Sequence, residues 1–196
     1  MKAWQAARLA RTYADLASQP RYRAATRFFL EDVYGPKDFS ARDEELLRIV
    51  PAMERILPAT AVATAALAIE LEALSEALDQ ALARALGAAP LDEGRYAEAY
   101  RASSTREERV RQVELALAVG RRLDALVWKP LIGATLRLMR KPAHLAGLGD
   151  LQDFLEEGYE AFRTMKGCEE FLAALHTREM AIVNRLLSGA SPSFSP

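Results

Sequence analysis

Apolar residues recur along this chain at spacings of three and four, the period of a helix that buries one face. The clearest case is a leucine seam, which consists of Leu67, Leu71, Leu74, Leu78 and Leu82. No long run alternates apolar with polar residues, as a half-buried strand would. The pattern therefore predicts an all-α protein, a single-domain helical bundle of about eight helical segments.

Helix boundaries are predicted by capping residues and by prolines. Thr105 and Glu108 have the spacing of a capping box, in which each side chain accepts a hydrogen bond from the other's backbone amide. The helix that begins there is expected to kink at Pro130 and to end at Pro142. Asp150 is the predicted cap of the following helix.

The distribution of these segments predicts one domain. Residues 1–189 form the predicted helical domain, beginning with a helix over residues 2–17, and residues 190–196 form a predicted disordered tail. Small side chains over residues 61–68 let neighbouring backbones approach closely. We therefore expect that segment at the centre of the domain.

Charge and apolar run length argue against two classes of partner. The 196 residues include 26 basic and 27 acidic ones, mixed along the chain, so we expect no nucleic acid partner. The longest charge-free stretch, residues 56–69, falls short of the ~20 residues needed to cross a bilayer, so we expect no membrane partner. Arginines interrupt the first residues before a signal peptide could form, which favours a soluble, cytoplasmic protein.

Metal and cofactor sites find little support in the residue inventory. The two histidines, His144 and His176, have no Glu three residues earlier, as a di-metal bundle site requires. The single cysteine, Cys168, cannot form a structural zinc site by itself. Phosphate-binding loops and nucleophile elbows are absent from the sequence. We expect no metal, no haem and no other cofactor.

A carboxylate lies on the apolar face of the last predicted helix. That face consists of Cys168, Phe171, Leu172, Leu175, Ile182 and Leu186. Glu179 falls within about 10° of its middle, at ~100° of rotation per residue. His176 and Arg178 flank it in sequence and are further candidates for a buried polar site.

The long helix after Thr105 repeats this arrangement. Its apolar face consists of Val110, Val113, Leu117, Gly120, Val127 and Leu131, and Asp124 lies on it. An isolated buried charge costs several kcal/mol or is neutralised by a raised pKa, so each inward acid should have a partner. Two interpretations stay open: the acids fix helix packing, or they line a polar pocket between helices.

The segment FFLEDVYGPKDFSARD, residues 28–43, combines aromatic and charged residues around a Gly-Pro turn. Tyr34, Asp38 and Arg42 are its candidate binding residues, and a purely structural turn is the alternative. Together with the stretch PAHLAGLGDLQDFLEEGYEAF, residues 142–162, this segment resembles a family of uncharacterised bacterial proteins. The resemblance implies a bacterial origin and adds no mechanism.

Three functional hypotheses remain after these exclusions. The first is a helical binding or interaction protein that presents a pocket to a small molecule or a groove to a protein partner, with a homodimer as one possibility. The second is an enzyme that uses the inward carboxylates Glu179 and Asp124. The third is a globin-like haem or sensor protein, which the scarcity of histidine disfavours.

Overall fold

The computed structural model describes residues 1–33, 59–87 and 90–189. Throughout these residues the secondary structure is helical and contains no strand, which confirms the predicted all-α bundle. Tyr34, Asp38 and Arg42 lie outside the described residues. The same is true of the predicted disordered tail, residues 190–196.

The described helices are α1 (Lys2–Thr12), α2 (Ala14–Ser18), α3 (Arg23–Phe28), α4 (Ala59–Leu86), α5 (Glu93–Ser103), α6 (Arg106–Val127), α7 (Pro130–Leu145), α8 (Gly149–Met165) and α9 (Glu169–Leu187). One π-helical turn, Phe29–Val33, continues α3. None of these helices is long and apolar enough to cross a membrane. The helix predicted over residues 2–17 is divided in two at Tyr13, a buried residue whose ψ of 17° interrupts the helix.

Helix α6 lies at the centre of the packing and contacts α4, α7, α8 and α9. The leucine seam of α4 is confirmed, because Leu71, Leu78 and Leu82 are all buried. Leu71 packs in a cluster with α6, whereas Leu82 packs with α5 and α9. The seam thus joins α4 to its neighbours on both sides.

The capping predictions had mixed outcomes. The capping box of Thr105 and Glu108 is confirmed, with both reciprocal hydrogen bonds present at the start of α6. The predicted cap at Asp150 is wrong, since α8 begins one residue earlier and Leu148 precedes it without a side-chain cap. The stop at Pro142 is also wrong, because α7 continues to Leu145. Pro142 has no N–H group to donate to the Leu138 carbonyl. Because Leu138 is exposed, water can hydrogen-bond to that carbonyl instead.

Two predicted burial assignments are wrong. In the first half of α4, Ala63 and Ala66 are exposed, and Thr64 is the buried residue. Helical projection predicted that Leu131 would lie inward, as a continuation of the apolar face of α6. In the structure the residue is 76% exposed. The reason is that α6 ends at Val127 and Lys129 is extended (ψ 125°), so the face does not continue in register into α7.

Two inward glycines bring helices close together instead of leaving space. A Cβ on Gly120 would lie 2.8 Å from Leu172 of α9, and one on Gly158 would lie 2.9 Å from Phe28 of α3. Both partner side chains are buried and cannot move away freely. These positions therefore serve helix packing.

Candidate functional site

A cavity of about 170 Å³ lies between the N-terminal helices and the central bundle. Helices α1, α4, α5, α6 and α9 all contribute to its wall. Its polar lining consists of Lys2, Gln5, Arg8, Tyr13, Thr26, Glu72, Ser75, Glu76, Asp79, Tyr96, Tyr100, Arg109, Gln112 and Glu179. Helices distant in sequence therefore place two arginines, one lysine, three tyrosines and four acids around one space.

Glu179 of α9 faces this cavity and is paired. Arg8 of α1 donates from Nη1 to both carboxylate oxygens, at 2.9 and 3.2 Å, and the Tyr13 hydroxyl donates at 2.8 Å. Only 11% of the Arg8 side chain and 18% of the Glu179 side chain are exposed. Burial has the largest single effect on the pKa of Arg8 and lowers it, but Glu179, Tyr96 and Tyr13 together outweigh burial, and the pKa is raised.

Arg109, in the first turn of α6, is the second buried arginine of the cavity and is 4% exposed. It donates from Nε to Ser104 at 3.0 Å and from Nη1 to the Gln112 side chain at 3.2 Å. Its guanidinium lies 4.1 Å from the centre of the Tyr100 ring. Among the described residues no carboxylate lies within 4 Å of it, so its charge is held by neutral groups.

Three buried polar atoms of cavity-lining residues have no hydrogen-bond partner within the described part of the chain: Arg8 Nε, Thr26 Oγ1 and Arg109 Nη2. A buried donor left unpaired costs about 1–3 kcal/mol, and charged groups cost more. The large majority of buried polar groups in proteins are paired. Three such atoms around one cavity therefore mark it as a place where a polar molecule would find partners.

Tyr96 and Tyr100 of α5 form an aromatic wall of the cavity, with ring centres 6.1 Å apart. Trp4 stacks on Tyr96 at 4.4 Å and closes the wall from the α1 side. Burial is the main cause that raises the pKa of both tyrosines, against the lowering effect of Arg8 and Arg109. Both hydroxyls are therefore protonated at neutral pH.

Asp124, the other inward acid, lies away from the cavity in a separate cluster. Its Oδ1 is buried without a partner in the described structure. Burial, followed by the nearby charge of Glu169, raises the pKa of Asp124, while hydrogen bonds from Cys168 and Trp128 act in the opposite direction. Burial, Asp124 and Glu169 together raise the pKa of the Cys168 thiol to about 11.

This second cluster has the only potential metal ligands that the described residues bring together in a group of three. One ligand atom each from Asp124, Cys168 and Glu169 lies within 4.8 Å of the others. The pKa of the Cys168 thiol is raised, so a metal that binds through this sulfur would have to displace its proton. The geometry permits three ligands.

The other two candidates near Glu179 do not line the cavity. Arg178 forms a two-point ion pair with Asp15, both contacts being 2.7 Å, and donates to the Thr12 carbonyl at 2.8 Å. It thereby ties α9 to the junction of α1 and α2. His176 is exposed. Of the candidate site residues that the structure describes, Glu179 alone contributes to the cavity wall.

Comparison with known proteins places the chain in a family. A family model described as "Domain of unknown function (DUF8198)" matches residues 1–193. The chain belongs to this family. No curated protein and no solved structure matches it. Because the family description assigns no activity, the function of this DUF8198 member has to be argued from its site.

Sequence reasoning missed both arginines of the site. Arg109 could have been found, because it lies four residues before Val113 and thus on the same inward face of α6. Arg8 lies four residues after Trp4 and four before the buried Thr12, a weaker signal on a helix whose other residues are mostly exposed or half-buried. Neither position carries a motif that predicts a partner.

Proposed function

We propose that this protein binds a small organic anion in the cavity between α1, α4, α5, α6 and α9. The observation that carries the proposal is the set of unpaired buried atoms, Arg8 Nε, Thr26 Oγ1 and Arg109 Nη2, in residues that line this cavity. Natural proteins retain unsatisfied polar groups mainly at functional sites, where they lower stability. A bound ligand would supply the missing acceptors.

An anionic acceptor is favoured by the uneven pairing of the two arginines. Arg8 already has a carboxylate, Glu179, which in this proposal holds its guanidinium in place. Among the described residues, Arg109 is held by neutral groups and by the Tyr100 ring, so a carboxylate or phosphate would balance its charge. The protonated tyrosine hydroxyls add donors to the same wall.

Cavity size limits the body of the ligand. The volume of about 170 Å³ is below the ~300–1,000 Å³ of pockets for drug-sized ligands. Part of the wall is apolar or aromatic, with Tyr96 and Tyr100 on one side and Leu175 and Ile182 on another. A compact carboxylate with a ring or short apolar body fits this combination.

The proposal is tested by thermal unfolding of the full chain with benzoate, 4-hydroxybenzoate, succinate and inorganic phosphate. A ligand present at ten times its Kd should raise the Tm by about 3–6 °C. Arg109→Met should abolish that rise, because it removes the unpaired Nη2 donor. Native mass spectrometry of the purified protein would detect a small anion retained from the host cell.

Arg106→Met is the matched control, because Arg106 lies on the same helix and is exposed. It should leave both the Tm and the ligand response unchanged. The proposal fails if no anion raises the Tm, none is retained, and Arg109→Met lowers the Tm by several degrees. That combination would mean that Arg109 serves only the packing of α6.

The cellular setting forms part of the same proposal. We expect a bacterial cytoplasmic protein that works without nucleic acid. The support is a net charge of -1 and a single cysteine, Cys168, which is buried as a free thiol. Small organic anions are common in that compartment.

A further inference from the structure

The exposed large apolar side chains of the described structure are concentrated on and beside α7. They are Trp128, Leu131, Leu138, Met139, Leu145 and Leu155. Leu131, Leu138 and Leu145 are 76%, 76% and 89% exposed, which is extreme for leucine. Apolar surface concentrated in this way is typical of an interaction site.

The three leucines form a ridge along one side of α7. They are seven residues apart, so their directions differ by only about 20° from one to the next. The side of α7 that packs on α8 carries Gly133 and Ala143, the buried residues of this helix. The ridge is about 21 Å long, at 1.5 Å per residue, and has no partner among the described helices.

The charge around this ridge is positive. Residues 125–149 contain no acid and four basic residues, Lys129, Arg137, Arg140 and Lys141. Arg140 pairs with Glu156 of α8. The other three are exposed, and no described carboxylate lies within 4 Å of them.

The acids of α8 that touch α7 lie away from the leucines. Glu156 contacts Arg140 and Asp153 contacts His144, at 3.1 Å in the second case. By helical projection Arg140 and His144 point about 140–180° away from Leu131. The positive charges flanking the ridge are therefore not cancelled from that side.

We infer that α7 attaches this protein to an anionic membrane surface, with the leucine ridge in the headgroup layer and the basic residues against lipid phosphates. An apolar ridge flanked by Lys and Arg is the pattern of helices that lie in the interface. Trp128, 49% exposed at the start of α7, belongs to the residue type that prefers this depth. A second copy of the chain is disfavoured, because two such ridges would bring like charges together.

This inference is independent of the cavity, because no residue of the ridge lines it. It also differs from a membrane span, which the sequence argued against on length alone. The sequence expectation of no membrane partner rested on the length of the charge-free stretch over residues 56–69, and helical projection separately placed Leu131 inward. Its exposure is the observation that changes the expectation.

Co-sedimentation of the full chain with vesicles tests the inference. Vesicles with one part phosphatidylglycerol to two parts phosphatidylcholine should bind the protein, and pure phosphatidylcholine vesicles should bind it at least tenfold less. Each basic residue near an anionic leaflet contributes a factor of about five, so Arg137→Gln with Lys141→Gln should weaken binding roughly twentyfold. Leu131→Ser with Leu138→Ser should weaken it at least tenfold.

The matched control is Arg84→Gln with Arg106→Gln, two exposed arginines on α4 and α6. Circular dichroism checks that each variant is folded. Equal binding to both vesicle types, or unchanged binding by the ridge variants, would overturn the inference. A different outcome would assign the ridge to self-association instead. In that case the protein would not bind vesicles, it would sediment as a dimer, and Leu131→Ser with Leu138→Ser would make it monomeric.

Discussion

Glu179 and Asp124 occupy equivalent sequence positions, each on the apolar face of a core helix, but their surroundings differ. Glu179 is coordinated by a guanidinium and a hydroxyl, so both of its oxygens have donors. Asp124 has one buried oxygen without a partner and a carboxylate neighbour, Glu169. The first acid thus has donors for both of its oxygens, whereas burial and Glu169 oppose the charge of the second.

The difference shows that an inward charge acquires its role from helices elsewhere in the chain. Arg8 reaches Glu179 from 171 positions away, and Tyr13 from 166. No cationic side chain of the described structure forms an ion pair with Asp124. Substitutions at the two acids should consequently change stability in opposite directions.

Glu179→Ala should have the largest effect, a loss of ~2–4 kcal/mol in the free energy of unfolding, because it leaves Arg8 charged and unpaired in a nearly buried place. Urea unfolding with an unchanged slope would measure it. Glu98→Ala, at an exposed site on α5, is the control and should change stability by less than about 0.5 kcal/mol. Glu170 is a poorer control, since it accepts hydrogen bonds from Arg21 and Tyr22.

A double substitution sharpens this result. Arg8→Met combined with Glu179→Leu removes both charges and should cost less than the sum of the single changes, with a coupling of about 1–3 kcal/mol. Strictly additive losses would mean that the two side chains do not act as a pair. A loss below 0.5 kcal/mol for Glu179→Ala would remove the proposed distinction between the two acids.

Asp124→Asn should instead stabilise the protein, by about 0.5–1 kcal/mol at pH 7, since it removes a charge from a site that disfavours it. A carboxyl whose folded pKa is raised favours folding at low pH and loses that contribution as pH rises through the folded value. The advantage of the Asn variant should therefore shrink toward pH 4, near the ordinary value of 3.8. Urea unfolding at pH 4 and pH 7 measures this, and a variant less stable at pH 7 would contradict it.

The smallest expected effect is on the reactivity of the Cys168 thiol. Chemical modification of this thiol tests the cluster of Asp124, Cys168 and Glu169 without a substitution. With a pKa of about 11, roughly one thiol in a thousand is ionised at pH 8. Iodoacetamide should therefore react much more slowly with the folded protein than with the urea-unfolded chain. Asp124→Asn should speed the reaction, because Asp124 contributes to the raised pKa. Equal rates for folded and unfolded protein would show that the thiol is accessible and ionised.

Some parts of this structure were predictable because they depend on local periodicity. The leucine seam of α4 and the Thr105–Glu108 capping box follow from short-range spacing, which backbone geometry enforces regardless of the rest of the fold. The inward direction of Glu179 follows from the same helical geometry. The stop predicted at Pro142 failed because Leu138, whose carbonyl loses its helical partner there, is exposed to solvent. The structure offers no explanation for the failed cap at Asp150.

Leu131 illustrates the limit of such reasoning. Helical projection placed it inward because it continued the face of α6, yet one extended residue, Lys129, turned that face outward. A change of two backbone angles reverses the side on which every later residue lies. The apolar ridge of α7 could therefore not be recognised from the pattern alone.

The sequence by itself determined that this chain is helical, where most of its helices lie and which acids point inward, because these properties depend on residues within a few turns of each other. Only the tertiary structure decided that Arg8, Thr26 and Arg109 line one cavity and that Glu179, not Asp124, is paired. The physical reason is that pairing and cavity lining depend on how α1, α6 and α9 pack in three dimensions. The spacing of residues along one helix does not reveal which residues of another helix pack against that helix.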